Sequence, residues 1–289
     1  MAALFKSEAG KKEILGLYDQ KLAALHIAHE SVYVDTSFGQ THLIRTGDPH
    51  HPPLILVHGS NGCAPIALEC YPNLSTRYQV FAVDVLAQPN RSAQTRLDMK
   101  GPDYGQWMHE LMVALDLHEV VLAGFSFGGL IILKTLVHHG GRVKAAFLAS
   151  PAYLVNGNPL RALWHIFIPM RRYMRTQRVK YVEQFLAALF TDRDAFAVQF
   201  LALVFLHFKM DFNPLPVLTA AEAQKINTPI SLLAAKNDLL FPGAKMLKRA
   251  RKLLPSLENT LLLETSKHVQ NQAGNRVFEN LILGRSTAS

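Results

Sequence analysis

Cysteine is scarce in this chain: 289 residues hold only Cys63 and Cys70. Two thiols cannot build a disulfide framework of the secreted kind, and a zinc site would need more ligands at short spacing. Seven residues separate them, which is roughly 10 Å along a helix and too far for a bond, so both are expected as free thiols. Long apolar runs are also missing. The opening MAALFKSEAGKKEILGLYDQ is broken by charges every few residues and does not read as a signal peptide. The stretch Ala195 to Phe208, AFAVQFLALVFLHF, has 14 residues, short of the roughly 18 of a membrane span. These absences predict a cytoplasmic chain with no stable membrane insertion. Acidic residues are absent from Arg161 to Lys180, where Arg161, Arg171, Arg172, Arg175, Arg178 and Lys180 stand in a chain of net charge +8. No helix-turn-helix, RNP or zinc-finger pattern accompanies this run, so no nucleic-acid partner is expected. It reads first as a solvated helix face, and next as a surface that attracts anionic lipid or an acidic substrate.

Apolar residues, by contrast, are plentiful at 49 %, enough for a sheet buried on both faces. The first 30 residues suit a helix with an apolar stripe at Ile14, Leu15, Tyr18, Leu22 and Leu25. SVYVDT and QTHLIRTG flank Ser37-Phe38-Gly39 and predict an antiparallel hairpin. Beyond Pro53, short apolar runs alternate with helix-length segments. The runs are PLILVHG, YQVFAVDVL, EVVLAGFS, VKAAFLASP, PISLLAAKND and NTLLLETS. YGQWMHELMVALDLH and GLIILKTLVHHGG are two of the helical segments between them. The expected fold is α/β, a doubly wound, mostly parallel sheet entered by a hairpin. Between Ser150 and Ile230 the rhythm fails, and the intervening residues are helical and rich in Phe, Leu and Met. A structureless loop of that length is implausible. The expected organisation is therefore an N-terminal helix over 1–30, a core over 31–150 and 229–289, and an inserted helical cap over 151–228. A cap entering after a strand's carboxyl end would cover the edge where open α/β sheets bind ligands.

Gly124-Phe125-Ser126-Phe127-Gly128 matches G-x-S-x-G, directly after the apolar run VVLA and directly before a helical segment. That is the strand-turn-helix setting of a nucleophile elbow. The glycines, Gly124 and Gly128, are needed where the turn crowds neighbouring backbone. A serine hydroxyl needs a base to take its proton. Of 13 histidines, His268 is the one in a short polar loop after the last apolar run. Asp238 closes PISLLAAKND at another strand end, 30 residues before His268, about one strand-helix-strand unit. A carboxylate there would hold the imidazole's tautomer and stabilise the imidazolium formed during attack.

The order Ser126, Asp238, His268 resembles the α/β-hydrolase superfamily, and the likeness runs from about residue 30 to the C-terminus. His58-Gly59 resembles that superfamily's oxyanion-loop motif. The resemblance implies an oxyanion hole from the backbone N–H groups of Ser60 and Phe127, with His58 structural. Asp84 resembles the loop aspartate found after the next strand, and Ser92 the serine that follows it. Two features depart from the pattern: LAQPNR lacks the usual glycines, and Ser266-Lys267-His268 replaces Gly-His. Lys267 is expected to point to solvent. Serine at the elbow excludes the dehalogenase and epoxide-hydrolase chemistry that uses aspartate there. It implies a serine hydrolase, carboxylesterase-like, acting through an acyl-enzyme without cofactor or metal. Thioesterase, lactonase or carbon–carbon bond hydrolase activity on the same triad is an alternative, and so is a binding or signalling protein that kept the fold. Phe185, Phe190, Phe196, Phe200, Phe205 and Phe208, with Trp164 and Met170, read chiefly as cap core. Those that face the cleft favour a mostly apolar small-molecule ester or acyl substrate. The sequence carries no signal for an oligomeric state.

Overall fold

The computed structural model describes residues 3–286. Helix α1 (Glu8–Ala24) opens under Ser7, whose hydroxyl accepts from Gly10 N–H, with Glu8 in its first turn and Lys21 in its last. Both charges suit the helix dipole. Strands β1 (His29–Thr36) and β2 (Gly39–Thr46) form the antiparallel hairpin. Gly39, at φ 119°, pairs with Thr36 across Ser37-Phe38.

The core then alternates as expected: β3 (Pro53–Val57), α2 (Ala64–Cys70), β4 (Gln79–Val83), α3 (Asp103–Ala114), β5 (Val120–Phe125), α4 (Phe127–His139) and β6 (Val143–Ala149). One eight-stranded sheet runs β1-β2-β4-β3-β5-β6-β7-β8, where β7 is Ile230–Ala235 and β8 is Leu257–Leu263. β2 alone runs opposite to the other seven strands. The central strands are apolar on both faces because helices cover both. Trp107 and Met108 of α3, Leu130, Leu133 and Val137 of α4, and Met246 and Leu247 of α10 (Gly243–Leu253) pack on one side. Ala67 and Leu68 of α2, with Phe278 and Ile282 of α11 (Gln272–Leu283), pack on the other.

Strands β6 and β7 are neighbours, yet their crossover takes residues 150–229. It carries α5 (Pro159–Ala162), a π turn (Leu163–Phe167), α6 (Ile168–Thr176), α7 (Lys180–Leu189), α8 (Ala195–His207) and α9 (Ala220–Ala223). These helices do not stand alone. Phe200, Val204, Phe205 and Phe208 share one apolar cluster with Phe5, Ile14 and Tyr18 from the N-terminal segment. Lys6 N–H donates to His207 O at 2.8 Å and Lys209 N–H to Leu4 O at 2.8 Å. The Phe5 and Phe208 rings meet edge-on at 5.1 Å. Among the described residues no helix is long and apolar enough to cross a membrane.

Candidate active site

The strand order reverses around β3, and the loops beyond the carboxyl ends of β3, β5, β7 and β8 carry the residues singled out in the sequence. Between β5 and α4, Ser126 alone makes the turn, at φ 55° and ψ −113°. Non-glycine residues rarely occupy that region, and surrounding bonds must hold them there. Ser126 N–H donates to Ala149 O at 3.0 Å, and Ser126 O accepts from Gly129 and Ala152 at 3.0 and 2.9 Å. Both flanking glycines are sterically required. A Cβ on Gly124 would lie 2.6 Å from Ile132 Cδ1, and one on Gly128 2.4 Å from Val57 O.

Ser126, His268 and Asp238 are all buried. Ser126 Oγ lies 3.0 Å from His268 Nε2, and His268 Nδ1 lies 2.7 Å from Asp238 Oδ2. An ionised carboxylate only accepts, so Nδ1 carries the proton and Nε2 is left to accept from the serine hydroxyl. The other Asp238 oxygen, Oδ1, accepts from Leu240 N–H and Phe241 N–H at 2.7 and 2.9 Å. Phe125 and Phe241 rings flank the imidazole at 4.9 and 5.3 Å. Gln270, which sequence reasoning missed, donates to His268 O at 2.9 Å and to Ser150 Oγ at 3.0 Å. Only its closeness to His268 in the chain could have drawn attention to it.

Ser60 stands in the turn after β3, and Phe127 is the first residue of α4. Among the described residues, neither backbone N–H is taken by an intramolecular hydrogen bond. His58 braces the loop below them. Its Nδ1–H donates to Gly59 O at 2.7 Å, and its Nε2 accepts from Val85 N–H at 3.0 Å. Burial lowers its pKa and keeps the ring neutral.

Asp84 and Ser92 lie outside this triad. Asp84 is fully buried, with Oδ2 at 2.8 Å from His42 Nδ1 and Oδ1 accepting from Ala64 N–H at 2.8 Å. Ser92 Oγ donates to Asp84 O at 2.6 Å and accepts from His42 N–H at 2.8 Å. His42 also escaped the sequence reading; a histidine amid the buried run of β2 was its one signal. In the glycine-free loop, Ala87 takes φ 57°, the left-handed conformation that glycine adopts without strain.

Lys267 turns away from the imidazole: its Nζ, at an exposed position, donates to Ala187 O at 2.7 Å, in the last turn of α7. The final carbonyls of a helix lack intrahelical partners and carry partial negative charge, so a nearby ammonium caps them. Around it, Lys267 N–H donates to Thr191 Oγ1 at 3.0 Å, and Val269 N–H donates to Leu189 O at 2.9 Å. The loop that carries His268 is therefore bonded to the end of α7.

The pattern of the alpha/beta hydrolase fold family matches residues 52–209, and the chain belongs to that family. It is 28 % identical over 255 residues to the uncharacterized carboxylesterase nap of Bacillus subtilis (strain 168), covering 83 % of this chain and 81 % of that protein. Carboxylesterase YbfK of the same strain is 37 % identical over 138 residues, 47 % of this chain and 46 % of YbfK. In fold the chain resembles the crystal structure of naproxen esterase (carboxylesterase NP) from Bacillus subtilis. The TM-score is 0.83 at 23 % identity, with 96 % of this chain and 98 % of that one covered.

Proposed function

We propose that this protein is a serine carboxylesterase, cleaving small, mostly apolar esters with Ser126 as nucleophile, His268 as general acid–base and Asp238 as its orienting carboxylate. The observation that carries this reading is the unbroken chain from Ser126 Oγ to His268 Nε2 at 3.0 Å and from His268 Nδ1 to Asp238 Oδ2 at 2.7 Å. Its likeness to two carboxylesterases supports the choice of an ester over other acyl bonds.

In this mechanism, His268 Nε2 takes the hydroxyl proton as Ser126 Oγ attacks the ester carbonyl carbon. The carbonyl oxygen becomes an oxyanion, received by the free N–H groups of Ser60 and Phe127 and favoured by the N-terminus of α4. Imidazolium His268, stabilised by Asp238, passes its proton to the departing alkoxide oxygen as the ester C–O bond breaks. Water then repeats the cycle on the acyl-enzyme, releasing the acid and restoring the serine. Residues 151–228 form the cap in this reading, excluding water from the reaction and strengthening each of these interactions.

A fluorophosphonate should label the chain once, with peptide mapping placing the adduct on Ser126, and Ser126→Ala should abolish turnover of a short p-nitrophenyl ester. An adduct on Ser92, Ser150 or Ser266 would overturn the assignment.

A further inference from the structure

The helical backbone from Pro159 to Thr176 has two contrasting faces. Its inner face, Ile166, Pro169, Met170 and Tyr173, is buried. Its outer face would ordinarily be polar. Instead Leu160, Leu163, Trp164 and Phe167 follow one another at helical spacing, all exposed, Leu160 at 66 % and Trp164 at 65 %. The ring of Phe212, itself 53 % exposed, lies 5.9 Å from that of Phe167 and widens the stripe. Of the eight large apolar side chains exposed among the described residues, six lie between Leu160 and Phe212. Such clustering marks a surface that meets something.

The charges indicate what it meets. Further along the same backbone the outward positions change from apolar to Arg171, Arg172 and Arg175, followed by Arg178 and Lys180, all exposed. Among the described residues none of these cations, nor Arg161, is in an ion pair with a carboxylate. The carboxylate beside Phe212 is Asp211, which accepts from Asn213 N–H at 2.9 Å. An apolar stripe with a tryptophan, next to unneutralised arginines, fits a surface with an apolar interior under an anionic skin. We infer that this outer face of the cap docks on anionic lipid bilayers, Leu160, Trp164 and Phe167 entering the headgroup boundary and the arginines meeting lipid phosphates. The docking is peripheral and does not involve the triad.

The two tryptophans make the test direct, since Trp107 is fully buried and Trp164 exposed. The intact chain is mixed with vesicles of phosphatidylcholine alone or with an equal part of phosphatidylglycerol. It should sediment with the mixed vesicles only, with a blue shift in tryptophan emission that Trp164→Phe removes, and high salt should release it. Arg171→Glu with Arg175→Glu should weaken partition at least about twentyfold, since each basic residue near such a surface contributes about fivefold. Turnover of a short soluble ester by that variant should be unchanged, which shows that it is folded. Binding to neither vesicle, equal binding to both, or anionic binding that leaves Trp164 unshifted would overturn the inference. So would self-association of the chain through this face that Trp164→Ala abolishes, because a second copy would then be its occupant.

Discussion

Asp238 divides its two oxygens between tasks: Oδ1 is fixed by two backbone N–H groups, which leaves Oδ2 aimed at His268. Asp238→Asn keeps the side chain's size but can turn an NH2 toward Nδ1, favouring the tautomer whose Nε2 bears hydrogen and cannot accept from Ser126. Ester turnover should fall by about 10⁴-fold, the loss seen in the serine-protease template, with an unchanged near-UV circular dichroism spectrum. A loss below tenfold would mean that another group orients the base. His58 bears on stability. Burial holds its folded pKa below the ordinary 6.5, so the unfolded chain binds the proton more readily. Its contribution is fully present above that value and is lost as pH falls below it. The urea midpoint of the wild type should therefore drop between neutral pH and pH of about 5.5, on the acid side of the ordinary histidine value. His58→Asn should be less stable throughout and show a flatter decline. An identical decline in both would assign the proton to a different group.

Between elements, the informative contact joins α7 to the loop after β8. Phe190 and Val269 make a parallel bridge, Thr191 Oγ1 donates to Val269 O at 2.8 Å and accepts from Lys267 N–H, and Lys267 Nζ caps α7. His268, the proposed general base, thus sits on a loop whose rest position α7 helps to define. Thr191→Val keeps the shape but removes the acceptor of the part-buried Lys267 N–H, which loosens the loop that carries His268. Its expected signature is a roughly tenfold lower kcat with little change in KM, since about 1.4 kcal/mol is a factor of ten. Thr191→Ser should restore kcat. A variant with wild-type kcat would show that the loop holds His268 unaided. This contact also marks what could be read from sequence. The elbow was legible because Gly124, Ser126 and Gly128 constrain one another within a single turn. The strand runs were legible because burial on both faces leaves an apolar signature. The bond from Lys267 to α7 was not legible because its partner, Ala187, is 80 residues away and is a backbone carbonyl, which no residue type announces. Ala87 hid the left-handed turn after β4 for a related reason: nothing but its loop compels an alanine to φ 57°.

On the scale of the whole molecule, the N-terminal helix reads from sequence as a separate element, yet in space it closes the apolar cluster of the helices between β6 and β7. Phe5 reaches Phe208, and Tyr18 lies buried against that cluster on one side and 3.4 Å from His42 Nδ1 on the other. Burial of Phe5, Ile14 and Tyr18 is worth about 1.5–3 kcal/mol each, a large share of the 5–15 kcal/mol that holds a typical domain folded. Two glycines in one helix test whether this docking is part of the fold. Gly10 faces α8 so closely that an added Cβ would lie 2.5 Å from His207 Cβ, whereas nothing lies within 4 Å of one at Gly16. Both have ordinary helical backbone, so helix propensity alone would make either alanine stabilising by about 0.8–1.0 kcal/mol. Gly16→Ala should show that gain in urea unfolding. Gly10→Ala should instead be destabilising by about 1–3 kcal/mol, the usual cost of overpacking, because the added methyl meets the rigid Cβ of a residue whose carbonyl is already bonded to Lys6 N–H. Should the two alanines stabilise equally, α1 would be an arm resting on α8, and the phenylalanines of α7 and α8 would have to hold their own core without it.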